Sequence, residues 1–323
     1  MLTGCSFAAP VASRLATQTL TAVPTTVKAA TPNAKTTTHP LFDGTHAFDA
    51  YLVPQMRLGP RPVGTAADRA TADLIAGQLQ QAGWNVVTQD FSYRGVPGRN
   101  VIGKAAVGKG PIIILGAHYD TRRYADQDKE HADQPVPGAN DGASGVAVLL
   151  ELARTVDVSK LKNEVWLAFF DAEDDGELDM CPQPARAGTP SATPVCDHTP
   201  WPWSVGSSYM ATHLTGKPSA VVIVDMIGDK DQNIYYERNS DVALQQDLWA
   251  IAGRLGYSAQ FIPEFKWSMD DDHTPFLQQG IRAVDIIDFD YPYWHTVQDT
   301  IDKVSPESLE RVGRVLQTWL EGE

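Results

Sequence analysis

The sequence predicts an α/β layered fold. Two observations carry this expectation. Four short runs (111–116 and 220–224, continuously apolar, and 164–170 and 283–287, largely so) have the length and composition of strands buried on both faces. Around them lie segments with apolar residues at helical spacing, so helix and strand alternate from Phe42 onward.

Taken in order, Thr65–Gly83 places Leu74, Ile75 and Leu79 at helical spacing and closes on Gly83, a residue suited to a helix C-terminus. Trp84–Tyr93 alternates as an outer strand does. Pro111–Gly116 (PIIILG) reads as a buried strand. Gly142–Thr155 reads as a helix, with Val146, Leu149, Leu150 and Leu152 apolar. Glu164–Phe170, Ala220–Val224 and Ala283–Ile287 are three further buried strands. Ser305–Leu320 opens with Ser-Pro-Glu, an N-cap and then proline at the first helical position, and continues as an amphipathic helix. Two polar loops stand out, Arg122–Pro137 and the Pro-rich Leu178–Trp203; the second has the length of a lid or rim.

The chain has 323 residues, of which 43% are hydrophobic and 20% charged, ample for a core. Residues 1–40 are rich in Ala, Thr and Pro and read as a disordered tether; residues 41–323 read as a single catalytic domain. A net charge of −14 argues against a nucleic-acid partner, because phosphate binding needs a basic face. The acidity serves solubility or, in part, gathers carboxylates around a cation. No run of about 18 apolar residues occurs, so no membrane-spanning helix is expected. Leu2-Thr3-Gly4-Cys5 resembles a bacterial lipobox. Cys5 would then carry a lipid anchor, in an exported protein of the periplasm or cell envelope. The other two of the three cysteines, Cys181 and Cys196, share one loop and are expected to pair in an exported protein.

The chemistry gathers directly after the buried strands. PIIILG runs into His118-Tyr119-Asp120, VWLAFF into Asp171-Ala172-Glu173-Asp174, and AVVIV into Asp225. Ligands in open α/β sheets bind beyond the carboxyl ends of strands, so three strands deliver His or carboxylate to one edge. Carboxylates crowded there repel unless a cation neutralises them. Magnesium and calcium prefer all-oxygen cages, whereas His118 and His295 favour zinc. Read singly, each residue has a plainer role. His118 and Trp294 would be core, Trp203 a loop anchor and Glu173-Asp174-Asp175 a solvated run. Asp271 would be a helix N-cap before Thr274-Pro275, and His273 a packing residue.

Together they are more specific. His118-Tyr119-Asp120, Gly138–Gly145 (GANDGASG), Glu173-Asp174, Asp225 and His295-Thr296, in that order, resemble the M28 family of zinc aminopeptidases from roughly Ala67 to the C-terminus. The resemblance implies three layers, with a mostly parallel, twisted central sheet flanked by helices. Asp271–Phe276 (DDHTPF), Tyr293–Thr296 (YWHT) and Trp203–Ser207 (WSVGS) are similar to the glutaminyl-peptide cyclotransferase branch. Asp225–Gly228 and Asp285–Asp288 are similar to its bacterial members. Carried over, the resemblance implies a zinc ion held by Asp141, Asp174 and His295, with Glu173 as proton shuttle. Asp225 and Asp271 would hold the substrate amine and reacting groups, and Trp203 and Trp294 would line the pocket. The family usually has Glu where this chain has Asp174, which keeps Glu177 open as an alternative ligand. His118 would be a family remnant or a ligand to a second metal.

Three functions follow. The first is cyclisation of N-terminal glutamine to pyroglutamate with release of ammonia, using one zinc. The second is a two-zinc aminopeptidase using His118, Asp141, Asp174, Asp225 and His295. The third is a silent binding module that kept the fold. The paired tryptophans and the DDH at 271–273 favour the first. Its substrates would be peptide and protein N-termini, and a monomer is expected.

Overall fold

The computed structural model describes residues 39–180 and 198–322. Cys5, Cys181 and Cys196 lie outside the described residues, and with them the expected lipid anchor and disulfide. The chain opens with α1 (Gly44–His46), a π-helical stretch (Ala47–Leu52) and α2 (Val53–Leu58). Asp43 caps this segment by accepting from the His46 amide, and Ala47, Tyr51 and Leu52 are buried. Helix α3 (Ala66–Gln81) starts at Thr65, whose hydroxyl accepts from the Asp68 amide. It ends at Ala82, and Gly83 beyond takes φ +83°, the left-handed turn for which glycine is suited.

Strands β1 (Asn85–Tyr93) and β2 (Val96–Ala105) form an antiparallel hairpin. Its two-residue turn, Arg94-Gly95, has φ of +48° and +84°, matching the twist of the strands. There follow β3 (Ile112–His118), α4 (Ala143–Thr155), β4 (Glu164–Phe170), α5 (Val205–Thr212), β5 (Ala220–Asp225) and β6 (Ile234–Tyr236). The described chain closes with α6 (Val242–Arg254), β7 (Phe261–Phe265), α7 (Thr274–Gln278), β8 (Ala283–Ile287) and α8 (Pro306–Glu321). Ser305 caps α8 from its side chain, ahead of the proline, as the sequence predicts.

The main sheet has the order β1-β2-β4-β3-β5-β8. Its heart, β4, β3, β5 and β8, is parallel, and the β1–β2 hairpin adds an antiparallel edge. Register explains the layering. Leu115, Leu167, Val222 and Val284 lie side by side and join the larger core with α3, α4, α6 and α8. Their neighbours Ile114, Trp166, Val221 and Ala283 point the other way, toward Met210 of α5 and Phe276 of α7. Both faces are thus covered, and the parallel strands are largely apolar, with Asp285 of β8 a fully buried exception. The same register aligns His118 with Phe170, and Asp225 with Ile287, so the polar residues beyond these strands emerge at one edge. Among the described residues, no helix is long and apolar enough to cross a membrane.

Candidate active site

At that edge a cleft of about 180 Å³ is lined by Asp141, Glu173, Asp174, Trp203, Asp225, Asp271, Trp294 and His295. Eight of the residues singled out in the sequence therefore meet in one place. The ninth, His118, lies at its base, with Nε2 3.0 Å from Asp225 and 3.2 Å from Asp141. The Nε2 of His295 stands 2.9 Å from Asp174 Oδ1 and 3.7 Å from Asp141 Oδ2. Glu177 is exposed and does not line the cleft, so of the two alternatives only Asp174 belongs to the cluster. Asp271 does not cap helix α7: its carboxylate accepts from the Asp272 amide, ahead of the helix, and His273, the residue just before the helix, already has helical dihedrals and makes no capping bond. His273 itself is fully buried, 3.3 Å from the carboxylate of Glu237.

The backbone is bent to present these groups. Ala172, Ser204, Met226 and His295 all have φ between +47° and +60°, and each adjoins or belongs to the cleft. Non-glycine residues rarely adopt this region, and such strain collects at functional sites. Gly142 precedes α4 at φ +89°, where a Cβ would come within 2.8 Å of the Asp120 carbonyl. The turn that delivers Asp141 therefore requires glycine.

The charges are strongly perturbed. Burial, and then Asp271 and Asp174, push Glu173 well above the usual carboxylate range, although His118 opposes them. Burial, reinforced by Asp141, pushes Asp174 up to about 7; burial also pushes Asp225 up to about 7, against the pull of His118. Burial would lower His295, but Asp174, Asp126 and Asp141 raise it to about 9. Without a cation such a cluster holds protons; a divalent ion in its midst would replace them.

Two sets of donor atoms fit a metal. Asp141, Asp174 and His295 offer one atom each, all within 4.8 Å of one another, and so do His118, Asp141 and Asp225. A tetrahedron with zinc–ligand bonds of about 2.0–2.1 Å has edges of about 3.4 Å, and the contacts of His295 bracket that value. Asp141 Oδ2 and Asp174 Oδ2 are buried without a hydrogen-bond partner, a cost that an ion between them would remove. The donor set therefore suits zinc and leaves a fourth position open.

The supporting residues are those that the sequence reading misses or leaves without a role. Asp120 accepts from the amides of Glu173 and Asp174 at 3.0 and 3.2 Å. Asp299 accepts from the amides of Asn140 and Asp141 and from the Tyr291 hydroxyl. Asn140 ties the Asp141 turn to the end of β5 through Met226 O and the Gly228 amide. Arg122 is buried and does most. It donates to the carbonyls of Asp174 and Gly176 at 2.8 and 2.7 Å and grips Asp126 with two nitrogens. Its guanidinium lies 4.9 Å from the Trp203 ring centre. Asp126 in turn lies 3.4 Å from His295 Nδ1. One cation thus braces two cluster residues and a wall. The walls themselves stack on the histidine, Trp294 at 3.8 Å and Trp203 at 6.0 Å between ring centres.

The fold and the site define an α/β enzyme built around a candidate metal centre. Residues 100–320 match the profile of peptidase family M28, and the chain belongs to that family. A leucine aminopeptidase precursor from Bacteroides thetaiotaomicron is 30% identical, with a TM-score of 0.78, covering 88% of this chain and 98% of its own. A glutaminyl cyclase from the same organism is 30% identical, with a TM-score of 0.77, covering 88% and 99%. A glutaminyl-peptide cyclotransferase from Gloydius blomhoffii is 25% identical over 80% of this chain and 76% of its own length.

Proposed function

We propose that this chain is a zinc-dependent glutaminyl-peptide cyclotransferase that converts N-terminal glutamine of peptides and proteins to pyroglutamate. The observation that carries the reading is a buried carboxyl, Glu173, facing Asp225 and Asp271 in a narrow cleft walled by tryptophans. Its relatives among glutaminyl cyclases support it.

Asp141, Asp174 and His295 would hold one zinc ion. When bound, zinc would supply a Lewis acid that polarises the γ-carboxamide of the substrate. Trp203 and Trp294 confine the glutamine side chain, so that it folds back on its own α-amino group. Asp225 and Asp271 orient that amine. The amine nitrogen attacks the side-chain amide carbon, forming the N–C bond of a five-membered lactam. Glu173 takes a proton from the attacking nitrogen and returns it to the departing nitrogen as the C–N bond breaks and ammonia leaves. A carboxyl whose pKa is raised by burial can serve as both acceptor and donor near neutral pH. No water enters the balance.

The second reading, an aminopeptidase, is favoured by the His118–Asp141–Asp225 set, which would hold a further metal. Gln-initiated dipeptides separate the two. Cyclisation yields ammonia and leaves the second amino acid bound; hydrolysis yields that amino acid free. Release of the free amino acid without ammonia would overturn the proposal. The lipobox-like Leu2–Cys5 keeps export part of the same reading.

A further inference from the structure

A peptide whose amino terminus enters so small a cleft must lay the rest of its chain on the surface. Beside the cleft lies a larger depression of about 860 Å³. The two share a wall. The segment after β8 gives Phe289 and Trp294 to the cleft, and Asp290 and Tyr293 to the depression. An aromatic row joins them. His295 stacks on Trp294 at 3.8 Å, Trp294 meets Phe289 edge-on at 5.0 Å, and Phe289 meets Trp267 at 5.4 Å. Trp267 is half-buried on the groove side and is held there. Its Nε1 donates to Asp290 at 3.1 Å, and Lys266 donates to both oxygens of the same carboxylate.

The lining of the groove is polar and nearly balanced in charge, with four aspartates against three lysines. That balance suits backbone amides and mixed side chains better than a phosphate or a metal ion. An extended chain advances about 3.3–3.6 Å per residue, so the third to sixth residues would travel roughly 10 Å along it. We propose that this groove is a downstream subsite that holds peptide substrates beyond their second residue, with Trp267 as its contact platform. The inference rests on the cleft receiving a peptide amino terminus, as proposed above.

The test compares a Gln-initiated dipeptide amide with a hexapeptide sharing its first two residues, on the zinc-loaded full chain. The hexapeptide should have a kcat/KM roughly tenfold higher, through a lower KM, the range of one good aromatic contact with its buried area. Trp267→Ala should bring the two peptides within about twofold of each other by a loss that falls mainly on the hexapeptide, and Trp267→Phe, which keeps a ring against Phe289, should restore most of the difference. Equal values for both lengths in the unaltered enzyme, or equal losses for both in Trp267→Ala, would overturn the subsite. Calorimetric affinities of the Glu173→Gln variant for the same peptides report on the groove without turnover. A hexapeptide bound no tighter than the dipeptide overturns the groove, whereas absence of ammonia despite length-dependent binding overturns only the cyclisation reading.

Discussion

Replacing Arg122 by methionine tests whether the geometry of the cleft depends on one buried cation. The change removes two charge-assisted bonds to the carbonyls of Asp174 and Gly176, each contributing about 1.5–3 kcal/mol. It also removes the pair with Asp126, which at 35% exposure is screened by water and contributes below about 1 kcal/mol. The contact with Trp203 adds about 1 kcal/mol. The gross loss is roughly 5 kcal/mol, and water entering to satisfy the freed carbonyls recovers part, leaving about 3 kcal/mol. At about 2.1 cal/mol/K per residue, a domain of this size loses roughly 5 °C in Tm. The freed groups include the backbone of Asp174 and the carboxylate beside His295, so zinc affinity should fall about 10–100-fold. Arg122→Lys keeps the charge but not the planar fork and should recover less than half of either loss. Thermal unfolding and competition with a chromophoric chelator measure the two effects separately. Wild-type stability together with wild-type zinc affinity in Arg122→Met would refute the bracing argument.

Three further outcomes are expected. Glu173→Gln should keep the fold and the zinc content but lower turnover about 10²–10⁴-fold; full activity would remove Glu173 as the proton carrier. Chelation should abolish ammonia release and zinc should restore it, at one ion per chain; a metal-free chain that stays active would sink the proposed centre. Asp68 is held up to about 7 by burial and then by Asp120, with its Oδ2 accepting from the Gly64 amide. Its folded pKa exceeds the unfolded value of about 3.9, so the folded state binds more protons between about pH 4 and 7, and stability falls as pH rises through that window. Asp68→Asn keeps an acceptor without the charge. It should be more stable than the parent by up to about 4 kcal/mol at pH 8 and indistinguishable near pH 4 in pH-resolved denaturant unfolding; a constant offset at all pH values would contradict this.

The buried strands are legible because a parallel strand covered on both faces leaves little room for polar residues, and 164–170 coincides with β4 residue for residue. Helix α8 is legible from its Ser-Pro-Glu start. Strand β2 is not, since VPGRNVIGKA carries Pro97 and two glycines and its turn uses Arg94-Gly95 in place of Asn-Gly. Strands β6 and β7, of three and five residues, are too short to show a period. Helix α6 is different: Asp241 as cap and Leu244, Leu248 and Ile251 at helical spacing write it plainly in the chain, although the strands draw the eye first. Of the residues lining the cleft, Glu173, Asp174 and Asp225 stand at strand ends and are found by position, whereas Asp141, Trp203, Asp271 and Trp294 are found through the family resemblance. The bracing residues are found by neither, because their work is done over long separations. Arg122 reaches residues 52 and 54 positions away, and Asp299 reaches 158 and 159. A polar residue in a loop carries no local sign of such a bond.

A carboxyl such as Glu173 beside a polarised carbonyl would assist a water nucleophile as readily as an amine. What selects between them is which nucleophile the walls hold against the carbonyl carbon. Trp294 and Trp203 lie nearly parallel to His295, at 25° and 21°, and wall the cleft beside it. Arg122 holds one of these walls and Phe289 the other. On this reading the metal pocket sets what can be activated, and the braced aromatic walls set which bond is made. Loosening Trp203 through Arg122 should therefore raise the yield of hydrolysed peptide relative to cyclised peptide, and not merely slow both.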